Sequence, residues 1–409
     1  MGALPKPGKD LLRPAAAETP HGIGPQNGLT EKKGVCMAYS LLEGNEAIAR
    51  GAIAAGCNFF AGYPITPATT IYQAMLDLLP SAGGICLQGE DEIASIGFCL
   101  GASMAGMKVM TATSGPGISL YSENISFAVG SEIPIVIVDV QRLGPSTGSA
   151  TRGADGDINF LRWGSSGGLP VIVLAPVDVN DCFTLTLHAF NLAEKFRCPV
   201  FIASNKEIGM TRENIDLDGL DLPEIISRTS APSKQPFQPF QTDTGQSVPG
   251  FLPIGGKALV RQTSSTHGPH GYITTDPDEI ARSQNRLKHK LISAVDHLTF
   301  HEMFTSNNAD TLLIAYGVTA RAAKAVYNQH NRPGNPLSLL ILKTLWPVPE
   351  HLIRQAARSV KRLVVVEMNM GQYVSEIKRI LPEKQIDFLG QMDGRLITPA
   401  QIMEAIESE

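Results

Sequence analysis

The sequence has no CxxC pair and no cluster of histidines, so it carries neither a recognisable zinc site nor the ligand set of an iron–sulfur cluster. A Walker loop is missing, and no GxGxxG follows a strand-like run, which excludes the commonest self-contained nucleotide sites. There is no Lys/Arg block and the net charge is −5, a balance that argues against nucleic acid as a partner. No apolar run reaches membrane-spanning length, which argues against a membrane protein, and Met1 to Lys33, rich in Pro, Gly and Ala, lacks the apolar centre of a signal peptide. The six cysteines (Cys36, Cys57, Cys86, Cys99, Cys182, Cys198) are scattered through strand-like and helical runs and read as reduced, structural residues of a cytoplasmic protein. Charge is sparse, at 18% of residues. A large surface covered by partners would account for that, as would a plain Gly/Pro-rich α/β enzyme.

What is present is 409 residues, too many for one ordinary domain, with 43% apolar residues to fill more than one core. Residues 1–35 read as a flexible arm. Residues 36–230 alternate strand-like runs (58–61, 84–87, 108–113, 134–140, 171–174, 200–203) with helical ones (44–55, 67–79, 91–105, 118–129, 177–196). That alternation predicts a parallel sheet covered by helices on both faces. Residues 231–305 read as a polar, Pro- and Gln-rich linker followed by a helical stretch from Asp276 to His301. Residues 306–409 form a second, smaller βα unit, with strands at 311–316, 337–342, 362–367 and 386–389.

Ligands of open parallel sheets bind beyond the carboxyl ends of the strands. Four such ends in the first domain are rich in chemistry: Gly62-Tyr63-Pro64-Ile65-Thr66-Pro67, then Gln88-Gly89-Glu90-Asp91-Glu92, then Ser114-Gly115-Pro116-Gly117, then Gln141-Arg142-Leu143-Gly144-Pro145-Ser146-Thr147-Gly148. Each has an ordinary reading. Thr66 suits the cap of a helix begun by Pro67. The acidic triplet complements a helix dipole. Gly115 and Gly117 permit a tight turn, and Arg142 suits a surface ion pair. Their coincidence on one edge of one sheet marks that edge as the predicted site. A fifth segment, Gly153-Ala154-Asp155-Gly156-Asp157-Ile158-Asn159, is similar to the GDG…N anchor of a diphosphate-bound magnesium, but its spacing is wrong, so the chain lacks that anchor.

These residues resemble the α subunit of the 2-oxoacid:ferredoxin oxidoreductases, most of all the 2-oxoglutarate branch. The resemblance covers roughly residues 40–409 and is carried by GYPITP (62–67), EDEIAS (90–95), TATSGPGISL (111–120), QR-x-GPSTG (141–148), KTLWPVP (343–349) and VVEMNMGQ (365–372). It implies a thiamine-diphosphate-binding domain of the pyrimidine type plus a smaller α/β domain like the C-terminal domain of transketolase. It implies a partner β subunit that holds the diphosphate, Mg2+ and a [4Fe-4S] cluster, which fits what this sequence lacks, and no metal here. Coenzyme A enters as co-substrate and ferredoxin as acceptor, unless a flavin-bearing electron-transfer subunit redirects the electrons. Only about 60 residues precede GYPITP, too few for the γ domain fused there in many relatives, so a separate γ polypeptide or its loss is implied. The assembly expected is a dimer of heteromers.

The cofactor's own amino group must act as a base, and a carboxyl group bonded to its pyrimidine N1′ promotes the tautomer required; burial against the ring suits that carboxyl. Glu92 matches the family's glutamate, with Glu90 as the alternative. By the same resemblance Tyr63, Pro64, Ile65 and Gly115 line the cofactor, while Thr66, Arg142, Ser146 and Thr147 meet the substrate. Arg142 suits the carboxylate of a 2-oxo acid because its planar fork binds it bidentately. After GPSTG the sequence departs from the 2-oxoglutarate pattern, and the histidine expected there is missing. Arg152 and Arg162 are either ligands of a distal carboxylate or surface residues, and His267 and His270 resemble a family loop near the substrate pocket. The function expected is oxidation of 2-oxoglutarate to succinyl-CoA. Pyruvate, a branched-chain or an aryl 2-oxo acid is the alternative substrate, and a non-catalytic scaffold subunit is the alternative of another class.

Overall fold

The computed structural model describes residues 39–232, 236–331 and 336–408. The N-terminal arm expected over 1–35, and Cys36, lie outside them. The strands are β1 (Tyr39–Glu43), β2 (Phe59–Gly62), β3 (Ile85–Gln88), β4 (Val109–Thr113), β5 (Ile135–Gln141), β6 (Ile172–Leu174), β7 (Pro199–Asn205), β8 (Arg212–Asp216), β9 (His301–Phe304), β10 (Thr311–Tyr316), β11 (Leu337–Leu342), β12 (Thr344–Trp346), β13 (Arg362–Glu367) and β14 (Gln385–Gly390).

The first sheet runs β12-β6-β7-β5-β4-β2-β3. All its pairings are parallel except that of β12 with β6. Every residue of β2, β4, β5 and β7 is buried, as a sheet covered on both faces requires. Strand β5 shows how period 2 divides one apolar run between two layers. Val136, Val138 and Val140 join the core under helices Gly44–Ala54 and Val179–Phe196, whereas Ile135 and Ile137 join the core under Glu92–Met104 and Ser122–Gly130. Gly51 lets the first two of those helices touch, since a Cβ there would lie 2.6 Å from the Phe183 carbonyl oxygen.

The second sheet runs β14-β13-β10-β11-β9, parallel except for β9. Strand β9 already belongs to it, so the sheet draws in residues ahead of 306. In return β12 leaves the second unit and seals the edge of the first sheet beside β6. The KTLWPVP stretch therefore stitches the two sheets together.

Local differences from the sequence reading have local causes. The helix expected from Pro67 begins at Thr69, and the position before it is Ala68, so Thr66 caps nothing. The Pro67 carbonyl instead accepts from the Asn45 side chain at 2.9 Å, and the Thr66 carbonyl from Arg142 Nη1 at 2.6 Å, which holds this stretch out of the helix. The stretch 118–129 is two helices, Pro116–Leu120 and Ser122–Gly130. The helix expected from Met370 starts at Val374, because the Glu367 carboxylate at the end of β13 accepts from the N–H groups of Tyr373 and Val374. The run from Asp276 to His301 is helical over Pro277–Ile292 and Val295–Leu298 and then becomes β9.

Candidate active site on the carboxyl edge of the first sheet

Strands β3, β2, β4 and β5 are neighbours in the sheet, so the four loops picked out from the sequence leave one continuous edge. The strand order reverses between β2 and β4, where a crevice for ligands opens. GYPITP and Ser114–Gly117 flank that crevice.

The acidic triplet separates into three roles. Glu90 is exposed. Asp91 is the helix N-cap, its carboxylate accepting from Ala94 N–H at 2.7 Å. Glu92, in the first turn, is 8% exposed and turns inward. Its carboxylate lies against Gly117, where a Cβ would stand 2.9 Å from Glu92 Oε1 and 2.1 Å from Thr113 Oγ1. A glycine at 117 is thus what lets the carboxylate and the hydroxyl both crowd onto the helix start. Thr113 Oγ1 and Ser114 Oγ are buried without a hydrogen-bond partner among the described residues. Behind them the Tyr121 hydroxyl bonds Thr111 Oγ1 at 2.8 Å; burial pushes its pKa up, and the nearby Glu92 adds to that.

Arg142, at the end of β5, is 5% exposed. Its Nη1 donates to the Thr66 carbonyl, which ties the β5 loop to the GYPITP turn. Its Nε is buried without a partner and would lie 3.0 Å from a Cβ at Gly115, whose φ of +49° also favours glycine. Gly115 therefore forms the bed on which the guanidinium lies. Burial lowers the Arg142 pKa, while Asp157 and Asp139 work to raise it. Asp139 lies within β5 and Asp157 in the segment returning from the loop. Burial and the neighbouring Asp157 push the Asp139 carboxyl far above the usual range, and burial pushes Asp157 up to about 6.

Tyr63, Pro64 and Thr66 are exposed along the crevice, with Ile65 half-buried beside them. Ser146 and Thr147 lie further out on an exposed loop, Ser146 at a φ of +55°. Arg152 is exposed, and its backbone carbonyl accepts from Leu143 N–H at 2.8 Å, so it sits at the base of that loop. Arg162 is committed elsewhere: it donates to the carbonyls of Leu169 and Gly168 and lies 3.8 Å over the Trp163 ring.

His267 does not reach this edge within the chain. It stacks on Phe240 at 3.8 Å, on the linker that runs along the amino ends of the strands, where Ser131 Oγ meets the Thr263 carbonyl. The sequence reading also missed Thr113, Tyr121, Asp139 and Asp157. Asp139 had a signal, an acid inside an otherwise apolar buried-strand pattern. Asp157 lies in the segment set aside for its wrong metal-anchor spacing.

A metal-coupled diphosphate needs clustered acidic or imidazole ligands, and among the described residues no group of three or more His, Cys, Asp or Glu side chains could hold a metal. The cradle at Gly117, with a buried carboxylate and two unpartnered hydroxyls, instead fits a flat heteroaromatic ring with hydrogen-bonding edges. Such an edge on a helix-covered parallel sheet belongs to the pyrimidine-binding class of thiamine-diphosphate domains.

Residues 50–285 match the family described as pyruvate flavodoxin/ferredoxin oxidoreductase, thiamine diphosphate-binding, and residues 309–402 match pyruvate:ferredoxin oxidoreductase core domain II. The 2-oxoglutarate synthase subunit KorA of Methanothermobacter marburgensis is 40% identical over 89% of this chain and 97% of that protein. The ketoisovalerate oxidoreductase subunit VorB of Methanothermobacter thermautotrophicus is 33% identical over 90% of this chain and 97% of its own length. Among solved structures, the 2-oxoglutarate:ferredoxin oxidoreductase of Magnetococcus marinus, solved with 2-oxoglutarate, coenzyme A and succinyl-CoA bound, superposes with a TM-score of 0.85 at 31% identity over 90% of this chain. This chain spans 65% of that structure's chain. A split-gene transketolase shares the fold alone, with a TM-score of 0.52 at 12% identity over 90% of this chain and 97% of its own. The chain belongs to the 2-oxoacid:ferredoxin oxidoreductase family.

Proposed function

We propose that this chain is the pyrimidine-side α subunit of a 2-oxoacid:acceptor oxidoreductase that oxidatively decarboxylates 2-oxoglutarate with coenzyme A to succinyl-CoA and CO2. The observation that carries the reading is the pairing of Glu92 with Arg142 on one strand edge, both buried and each beside buried polar atoms that have no partner among the described residues. Bound thiamine diphosphate supplies the carbanion that adds to the 2-oxo group. Glu92 holds a proton at the pyrimidine N1′, and Gly117 keeps its carboxylate in place. Tyr63, Pro64 and Ile65 form the wall beside the ring. Arg142 offers its fork to the substrate carboxylate. The Thr66 hydroxyl, which caps no helix, is free to donate to the carboxylate or the ketone. Ser146, Thr147 and Arg152, exposed on the loop that follows Arg142, are the residues this reading assigns to the far end of the substrate.

The partner is a β subunit that brings the diphosphate site, Mg2+ and the [4Fe-4S] cluster, in a dimer of heteromers. Electrons leave for ferredoxin or, through an added electron-transfer subunit, for another acceptor. Cysteines 57, 86, 99, 182 and 198 are free thiols, and burial pushes Cys57 and Cys198 up to about 12, which suits a reducing cytoplasm. The likeness to the VorB subunit keeps a branched-chain 2-oxo acid as the second reading of the substrate.

The test is co-expression with the partner, followed by assay against a panel of 2-oxo acids. Turnover is expected to be greatest with 2-oxoglutarate; a preference for a branched-chain, aryl or three-carbon acid replaces the substrate, and no turnover with any acid favours a scaffold. The chain alone is expected not to bind thiamine diphosphate at micromolar concentration.

A further inference from the structure

We propose that Asp139 and Asp157 form a proton-sharing pair that positions Arg142 and sets the charge a substrate carboxylate meets beside it. The proposal rests on the reading of Arg142 as the carboxylate site. Asp139 is fully buried on β5, three residues before Arg142. Asp157 comes to it from the returning segment, its backbone N–H held by Gln141 Oε1 at 2.9 Å. The buried oxygens of the two carboxyl groups lie close enough to act on each other and on the guanidinium. Among the described residues no N–H or O–H donor reaches either Asp139 oxygen or Asp157 Oδ2.

Two carboxylates in buried contact cannot both ionise cheaply, so such a pair retains one proton between them. With that proton the pair carries one negative charge and balances Arg142. Without it the three groups together are net negative and repel an incoming carboxylate. Arg142 spends Nη1 on the Thr66 carbonyl, and its Nε has no acceptor, so the pair supplies the attraction that seats the rest of the fork. The second domain holds the same segment in place: Gln372 donates to the Gly156 carbonyl and accepts from Asn159 N–H.

Asp155, two residues back, is a further titratable group close by. It is bonded to Asn205, faces Glu367 from the end of β13, and is pushed up to about 7 by burial. Wild-type pH profiles contain both sites; Asp157 adds to the rise at Asp155, so Asp155→Asn, which leaves the pair intact, separates them.

The experiment measures log KM for the 2-oxo acid against pH in the assembled complex. In the wild type, KM is expected to rise with pH as the shared proton is lost. Asp157→Asn keeps a hydrogen-bonding side chain but removes the second carboxyl, so this step is expected to vanish from the profile. Asp157→Ala is expected to raise KM on the order of tenfold, because the guanidinium loses its seat. An Asp157→Asn profile that keeps the wild-type step overturns the pair. Arg142→Gln separates the two readings: unchanged KM there refutes the carboxylate site itself, whereas raised KM with an unaltered Asp157→Asn profile refutes only the pair. If Asp157→Asn fails to assemble, infrared titration of the wild-type complex decides. A protonated-carboxyl band that disappears over the pH range in which KM rises supports the pair, and absence of such a band overturns it.

Discussion

The two edges of the first sheet both bury charge, and they bury it differently. At the amino edge Glu132 is fully buried, with Arg286 Nη2 at 2.6 Å and Lys290 Nζ at 2.8 Å. Arg197 beside it donates to the carbonyls of Glu132, Pro249 and Gly250. Arg228 closes a second pair with Glu194 at 2.8 Å and also holds the carbonyls of Ser103 and Met107. These groups answer one another and fasten the linker and its helix under the sheet. At the carboxyl edge, Arg142 Nε, Thr113 Oγ1 and Ser114 Oγ have no partner among the described residues. Unanswered buried polar groups cost stability, so an edge that keeps them implies a ligand or partner that completes them. The comparison separates charge that serves folding from charge that awaits chemistry, although burial alone looks the same at both edges.

That contrast can be broken by substitution. The largest effect is expected from Glu92→Gln: turnover in the assembled complex falls by roughly 10²–10⁴ for every 2-oxo acid, as for loss of a general acid–base group, while the melting temperature stays near wild type. Retained turnover would move the role to another group. Glu132→Ala reverses the pattern. It leaves Arg286, Lys290 and Arg197 facing each other without their anion and is expected to cost about 3–5 kcal/mol in denaturant titration.

The same carboxylate sets a pH dependence. Burial alone would raise the Glu132 pKa, but Lys290 and Arg286 outweigh it and hold it at about 2, below its ordinary value of 4.5. Its contribution to stability is therefore full above the ordinary value and is lost as pH falls through that range toward about 2. Denaturation midpoints measured down this range should drop in the wild type more steeply than in Glu132→Gln. Next in size, Arg142→Lys is expected to raise KM by about 10-fold or more through loss of the bidentate fork, with assembly on a sizing column unchanged. The smallest effect is expected at His267→Ala, where loss of the stack on Phe240 costs about 0.5–1.5 kcal/mol of stability and leaves KM unaltered. A KM change there would join the two edges functionally and undo the contrast.

Much of the carboxyl edge was legible in the sequence because strand ends in a parallel sheet announce themselves: apolar runs stop at Gly62, Gln88, Thr113 and Gln141, and the chemistry follows. The edge on which His267 sits was not legible, because resemblance says nothing about which edge a linker crosses. Glu90 and Glu92 could not be told apart because a helix start places neighbours on opposite sides, and only the Asp91 cap sets the register.

By itself the sequence determined the alternation of strands and helices and the four loops that share an edge, all of which follow from local periodicity and residue chemistry. Tertiary structure alone decided that Thr66 caps nothing, that β12 crosses to the other sheet, and that Asp139 meets Asp157 beside Arg142. Those contacts join residues far apart in the chain or on different elements. Their energies depend on burial and on the groups they face, which no short stretch of sequence records.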